Sequence, residues 1–315
     1  MARSEAREGQ VADAVKGNWV DRHAPEAIRP YLRLSRADRP IGTWLLLLPC
    51  WWGLALASAA LDRFGWTGLW IGLGCAVGAF LMRGAGCTWN DITDRHIDGS
   101  VARTRSRPIP SGRVTPKQAL AWAVAQSLVS FAILLTFNLP AIGLGVLSLL
   151  PVAIYPFAKR FTWWPQVFLG LAFNWGALLA WTAQTGSLGW PAVILYLAGI
   201  SWTLFYDTIY AFQDVEDDAL IGVKSTARLF GDHARGWLVA FLVAGTLFLA
   251  LAAFLALSGA TLIVALCAPL IFALHLLWQM ARLDTKDTDR CLALFRSNRD
   301  AGLLVTLFLA AAILV

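Results

Sequence analysis

Nine stretches of the chain stay apolar for close to the roughly 20 residues that carry a helix across the hydrocarbon of a bilayer. Their limits are 41–61, 66–86, 116–137, 140–158, 166–184, 190–210, 236–257, 260–280 and 300–315. The pattern predicts nine membrane-spanning helices in an all-α, polytopic membrane protein. The last run is short for a span, and tilt or local thinning of the bilayer can absorb the mismatch. Residues 1–40 hold eight basic and six acidic side chains. With apolar runs repeating after it, this stretch reads as a polar segment before a retained first span, not as a cleaved signal. The expected organisation is a polar cytoplasmic segment at 1–40 and one nine-span domain at 41–315.

Composition agrees with lipid as the main solvent. Hydrophobic side chains make up 58% of the chain and charged ones 15%, with a mean hydropathy of +0.60. Soluble domains sit nearer half and a quarter. A disordered chain, a secreted disulfide scaffold and an ordinary cytosolic enzyme are excluded. Cys50, Cys75, Cys87, Cys267 and Cys291 are scattered without metal or redox spacing and read as inert apolar residues.

The few charges set an orientation. Sorted by connection, the 26 Lys and Arg fall eight in the N-terminal segment, seven between spans 2 and 3, two between 4 and 5, three between 6 and 7, and five between 8 and 9. Arg63 alone lies on the other side. The positive-inside rule then places the N-terminus and the even-to-odd connections in the cytoplasm and Val315 outside. Basic charge divided among loops in this way is a topology signal, and nucleic acid is not an expected partner.

Acids at the ends of apolar helices are costly enough to mark function. One set follows span 2 and contains Asn90, Asp91, Asp94 and Asp98, which share a helical face of about 100°. Another follows span 6, where Asp207, Tyr210, Asp217 and Asp218 lie within about 60° of Asp214. The sets are four spans apart, on the same predicted side of the membrane, as a parallel internal repeat would place them. Oxygen ligands without His or Cys on the same face point to a hard divalent cation, Mg²⁺ above all, with phosphate oxygens completing its shell. Beside the first set, Arg103, Arg105 and Arg107 alternate, and their guanidinium forks suit phosphate. Lys159, Arg160 and Lys224 supply cations near the second. His96, His233 and His275 read as solvated or core histidines.

The stretch NDITDRHIDGSVARTRSRPIPSGRVT resembles the first signature of the membrane-bound aromatic prenyltransferases of the UbiA superfamily, N-D-x-x-D-x-x-x-D followed by R-T-R-x-R-P. DTIYAFQDVEDDALIGVKSTARLFG is similar to their second, D-x-x-x-D with G-V-K-S-T. RADRPIGTWLLLLPCWWG and YPFAKRFTWWPQVFLG resemble the branch that acts on 4-hydroxybenzoate in ubiquinone synthesis. The resemblance covers about residues 30 to 315.

It implies a nine-helix bundle with a central cavity open to lipid and an Mg²⁺-dependent transfer of a polyprenyl group from polyprenyl diphosphate to the ring carbon ortho to the 4-hydroxybenzoate hydroxyl. Asn90, Asp91, Asp94 and Asp98 would hold metal and diphosphate from one side, and Asp214, Asp217 and Asp218 from the other. The five aspartates Asp91, Asp94, Asp98, Asp214 and Asp218 would be the catalytic set. Arg39, Arg160 or Lys224 would meet the benzoate carboxylate, with Tyr210 and Asp207 orienting the acceptor. Homogentisate or haem as acceptor, and a carboxylate-based secondary transporter, are the alternatives. The expected location is a bacterial inner membrane, multi-pass, with the active site facing the cytoplasm, or the mitochondrial inner membrane in a eukaryote.

Overall fold

The computed structural model describes residues 17–100, 104–220 and 222–315, without the side chains of Ile97, Ser100 and Asp217. The described residues form helices and connections and contain no strand. Two short helices, α1 (Trp19–His23) and α2 (Arg29–Leu34), precede α3 (Ile41–Ala60) and α4 (Gly65–Thr93). Next come α5 (Arg95–Ser100), α6 (Pro116–Leu134), α7 (Leu139–Leu147), α8 (Leu149–Phe161), α9 (Pro165–Thr185) and α10 (Trp190–Ala211). The chain finishes with α11 (Val215–Leu220), α12 (Thr226–Phe230), α13 (Ala234–Ala256), α14 (Gly259–Ala265), α15 (Cys267–Arg282) and α16 (Thr288–Ala311). Among the described residues, nine helical stretches are long and apolar enough to cross a membrane, and they coincide with the nine apolar runs.

Several spans outrun their apolar stretch, the second and the last among them. The second helix continues to Thr93, past residue 86, and the last starts at Thr288, well before residue 300. Backbone hydrogen bonding carries a helix on after the side chains turn polar, so apolarity marks depth in the lipid and not the helix end. The last span is therefore not short. Arg83 also moves: it stands inside α4 rather than in the connection after it.

The fourth and eighth spans are broken, at Ser148 between α7 and α8 and at Leu266 between α14 and α15. Three residues after each break comes a proline, Pro151 and Pro269. Proline has no N–H to give the carbonyl four residues back and its ring crowds that carbonyl, which interrupts the helix there.

The described residues group into two compact units, one within 17–43 and 78–132 and one within 44–77 and 133–315. In the first, Leu34, Ile109, Val114 and Ala119 form a small core with Tyr31 and Ile92 against it. A polar contact adds to it: Trp122 donates its indole N–H to Ser35 Oγ at 2.8 Å, and Ser35 donates to Gln126 Oε1 at 3.1 Å. Gly84 of α4 permits this approach, since a Cβ there would lie 2.1 Å from Gln126 Oε1.

In the second unit α10 is the central helix, packed by α9, α13 and α16, and Trp202, Phe205, Tyr206 and Ile209 are fully buried on it. Trp52 of α3 lies 4.9 Å from Trp202 between ring centroids and donates its N–H to Gly302 O at 2.9 Å. Large apolar side chains such as Leu150, Ile263, Leu270 and Leu307 stay exposed. In water they would be a liability, whereas lipid is their matching solvent. Trp66 and Trp190, the most exposed tryptophans, stand at the first turns of α4 and α10, where an aromatic ring suits the lipid–water interface.

Candidate functional site

The first acidic set is not one continuous helix. Asn90 and Asp91 close α4, Asp94 sits at a break, and Asp98 lies on α5. The main chain still keeps near-helical spacing across the break, because Asp94 N–H donates to Asn90 O and Asp98 N–H to Asp94 O, both at 2.9 Å. Asp91, Asp94 and Asp98 are all buried. Burial of a carboxylate demands a partner, and for Asp91 and Asp98 arginines provide it. Arg36 Nη2 meets Asp91 Oδ1 at 2.5 Å. Arg107 Nη1 reaches Asp98 Oδ2 at 2.8 Å and Asp91 Oδ1 at 3.3 Å. Thr104 Oγ1 donates to Asp98 O at 2.8 Å, tying the start of the arginine loop to α5. Burial pushes the Asp98 carboxyl up from its usual range, and Arg107 pulls it back.

Arg36 is held there by an unusual backbone. It is the residue after the C-cap of α2, with φ +57°. Its N–H donates to Arg33 O at 3.1 Å and the next N–H, of Ala37, to Leu32 O at 3.0 Å, the Schellman pattern that normally carries glycine. A side chain with a Cβ in this left-handed region costs about 1–2 kcal/mol. Its burial opposes the guanidinium charge, and the groups around it, Asp91 foremost with Cys87 and Asp38, together act the other way, so the pKa of Arg36 is raised.

Two atoms in this cluster stay unmatched among the described residues. Asp91 Oδ2 is buried without a hydrogen-bond partner, and so is Arg107 Nε. An orphaned carboxylate oxygen in an all-oxygen donor set is what a hard cation takes, so the first set fits Mg²⁺. As the side chains stand, however, guanidinium groups face these carboxylates, and among the described residues no three of His, Cys, Asp and Glu converge on a metal position. Arg105 is exposed, its Nε donating to Gly99 O at 3.3 Å. Arg103 lies outside the described residues. Arg39 is buried, with Nε 3.3 Å from Asp38 Oδ1.

The second set is also split by a turn. Asp207 and Tyr210 belong to the last turns of α10, Asp214 lies in the turn that follows, and Asp217 and Asp218 lie on α11. Asp218 N–H donates to Asp214 O at 2.8 Å. The Tyr210 ring packs on Phe295, 4.6 Å between centroids. Behind α11 the GVKST segment folds back. Val223 N–H donates to Asp218 O at 2.9 Å, Lys224 N–H to Lys159 O at 3.1 Å, and Thr226 N–H to Gln166 Oε1 at 3.2 Å. Arg228 donates to the carbonyls of Asp218 and Val223. Lys224 Nζ reaches Phe161 O at 3.5 Å and, with Arg228, covers the Trp163 ring. The structure thus joins the last turn of α8, which carries Lys159 and Arg160, to the segment holding Lys224.

Arg36, Arg83 and Arg228 were absent from the expected site. Arg83 carried a readable signal, a charge inside an apolar run. Its guanidinium packs on Gly42, where a Cβ would stand 2.4 Å from Nε. Arg36 sits in the recognisable RADRP stretch, but nothing local couples it to Asp91, 55 positions away.

The model of the UbiA prenyltransferase family matches residues 46–311. The chain is 47% identical over 294 residues to the mitochondrial 4-hydroxybenzoate polyprenyltransferase of Arabidopsis thaliana, covering 92% of this chain and 70% of that one. It is 46% identical over 291 residues to the human mitochondrial protein of the same name, covering 90% and 75%. Among solved structures, a UbiA homolog from Aeropyrum pernix K1 in its apo form superposes with a TM-score of 0.68 at 23% identity, covering 85% of this chain and 96% of that one. A UbiA homolog from Archaeoglobus fulgidus bound to GPP and Mg²⁺ superposes with a TM-score of 0.63 at 18% identity, covering 91% and 100%.

Proposed function

The chain belongs to the UbiA prenyltransferase family, and from that premise we propose that it moves a polyprenyl group from polyprenyl diphosphate to the ring carbon ortho to the hydroxyl of 4-hydroxybenzoate, a step of ubiquinone biosynthesis. The observation that carries the reading is the 46–47% identity, across nine-tenths of the chain, to relatives named 4-hydroxybenzoate polyprenyltransferase.

Asn90, Asp91, Asp94 and Asp98 are proposed to hold Mg²⁺ and diphosphate, with Asp214, Asp217 and Asp218 serving the same group. The fold neighbour with GPP and Mg²⁺ supports this cofactor class, as does the orphaned Asp91 oxygen. When bound, Mg²⁺ supplies positive charge that offsets the charge growing on the leaving diphosphate. Arg103, Arg105 and Arg107 add guanidinium donors to the same end, and Lys159 and Arg160 at the end of α8, with Lys224 after α11, are the further cations. Charge stabilised in this way lowers the barrier to breaking the allylic C–O bond. The helices exclude water, which would capture the allylic cation. Tyr210 and Asp207 orient the acceptor, and Arg39, Arg160 or Lys224 receives its carboxylate. The ring carbon attacks, and loss of its proton restores aromaticity.

A long isoprenoid tail stays in the bilayer at about 0.8 kcal/mol per buried CH₂, which places the enzyme where its donor is. The reaction side is proposed to be the cytoplasmic face of a bacterial inner membrane, or its counterpart in the mitochondrial inner membrane, the named relatives being mitochondrial proteins. Membranes holding the protein are expected to form prenylated hydroxybenzoate and release diphosphate when given Mg²⁺, 4-hydroxybenzoate and a polyprenyl diphosphate. Prenylation of homogentisate in place of 4-hydroxybenzoate would overturn the acceptor.

A further inference from the structure

Around Asp91, carboxylates and guanidinium groups are already paired before any ligand arrives, with the Asp94 and Asp38 carboxyls adding negative charge close by. Two carboxylates, Asp91 and Asp98, face two guanidinium groups, Arg36 and Arg107. Yet the cluster leaves one buried acceptor, Asp91 Oδ2, and one buried donor, Arg107 Nε, without partners among the described residues. An acceptor calls for a cation and a donor for an anion. A ligand carrying both signs satisfies the pair; a bare metal ion satisfies one and repels the other.

We propose that Arg36 and Arg107 are resident counter-cations of the first acidic motif, so that metal and diphosphate enter together and Mg²⁺ alone is held weakly. The inference rests on the metal–diphosphate reading above and adds an order to it. Electrostatics sets the sense. A divalent ion placed beside Asp91 meets both guanidinium charges at close range in a poorly screened setting. With diphosphate present, Arg107 exchanges its carboxylate partners for phosphate oxygens, which its fork accepts equally well. Arg36 stays as the positioning residue that keeps Asp91 Oδ1 occupied and leaves Oδ2 as the acceptor that the metal takes.

The backbone of Arg36 supports a role beyond packing. Position 36 takes a left-handed conformation that glycine would adopt without strain. A residue kept there against that preference is kept for its side chain.

That same geometry gives a variant that is expected to fold. Arg36→Gly retains the helix cap and removes the charge. The test measures Mn²⁺ binding by electron paramagnetic resonance on the full chain in detergent, with and without inorganic diphosphate at matched free Mn²⁺. For the native protein, diphosphate is expected to tighten retention of Mn²⁺ on the order of tenfold or more. For R36G, Mn²⁺ alone is expected to bind on the order of tenfold tighter than to the native protein, shrinking the gain from diphosphate. Arg107→Gln gives a second reading and is expected to shift Mn²⁺ alone in the same sense while weakening the diphosphate gain. Equal affinity of the native protein for Mn²⁺ with and without diphosphate, or unchanged affinity for Mn²⁺ alone in both variants, overturns the proposal. If neither form of the metal binds and Asp91→Asn makes no difference, the metal–diphosphate reading itself has failed, which is a distinct outcome.

Discussion

Trp202 donates its indole N–H to Asn298 Oδ1 at 2.8 Å in the buried interior, joining α10 to α16. Gln279 of α15 and Asn298 exchange two further hydrogen bonds, at 3.1 and 3.2 Å. One amide thus fixes three helices. Asn298→Leu strands the indole N–H and the Gln279 amide where no water reaches, at about 1–3 kcal/mol for each orphaned group. The expected result is a clear fall in melting temperature in detergent, read by intrinsic tryptophan fluorescence.

Activity should depend on both acidic sets independently. Asp94→Asn and Asp214→Asn are each expected to lower prenyl transfer by roughly a hundredfold or more while the melting temperature stays near native. Each carboxylate lies at an interruption between helices, so an isosteric amide leaves the packing intact. Near-native turnover in either variant removes that set from the reaction.

Gly53 offers a packing test away from the chemistry. A Cβ at this position of α3 would stand 2.3 Å from the backbone oxygen of Ala177 on α9. Backbone cannot rotate aside as a side chain can, so the helices must separate. Gly53→Ala is expected to destabilise the fold by about 1–3 kcal/mol, the cost of overpacking, despite the better helix propensity of alanine. Unchanged thermal stability would contradict the close approach.

Asp38 gives a pH signature. Burial pushes its carboxyl up to about 6, with Arg36 pulling the other way. Between the ordinary carboxylate range and that value, the unfolded chain ionises Asp38 while the folded one keeps the proton. Stability from this group is therefore complete at low pH and is lost as pH rises from about 4 to about 6, at up to about 1.4 kcal/mol per unit. Melting curves across that window should show a shallower loss with rising pH for Asp38→Asn. An identical slope in both proteins excludes Asp38 as its source.

Orientation is checked with single cysteines in a background freed of the native ones. Ser111→Cys, on the exposed arginine-loop side, is expected to react with an impermeant maleimide only from the cytoplasmic face. Ser187→Cys, between α9 and α10, should react only from the other. Labelling of both from one side contradicts the positive-inside reading.

The spans were legible because lipid leaves a helix little choice of side chain for 20 residues. Where that constraint lapses, legibility lapses too. Thr93 and Thr288 end their helices beyond the apolar runs, and one helical face through Asp91, Asp94 and Asp98 needs a continuity that the chain interrupts at Asp94. The motif residues themselves could be named from spacing. Their counter-ions could not, since Arg36 finds Asp91 through the fold of α2 against α4, and short helices such as α2 leave no periodic trace.

The interrupted fourth and eighth spans carry a historical meaning. Each is cut three residues ahead of a proline, and they lie four spans apart, as do the acidic sets after the second and sixth. A four-helix ancestor copied end to end would transmit both marks in register, and a ninth helix would be the later addition. Two unrelated irregularities that keep one period are inherited together more easily than they arise twice.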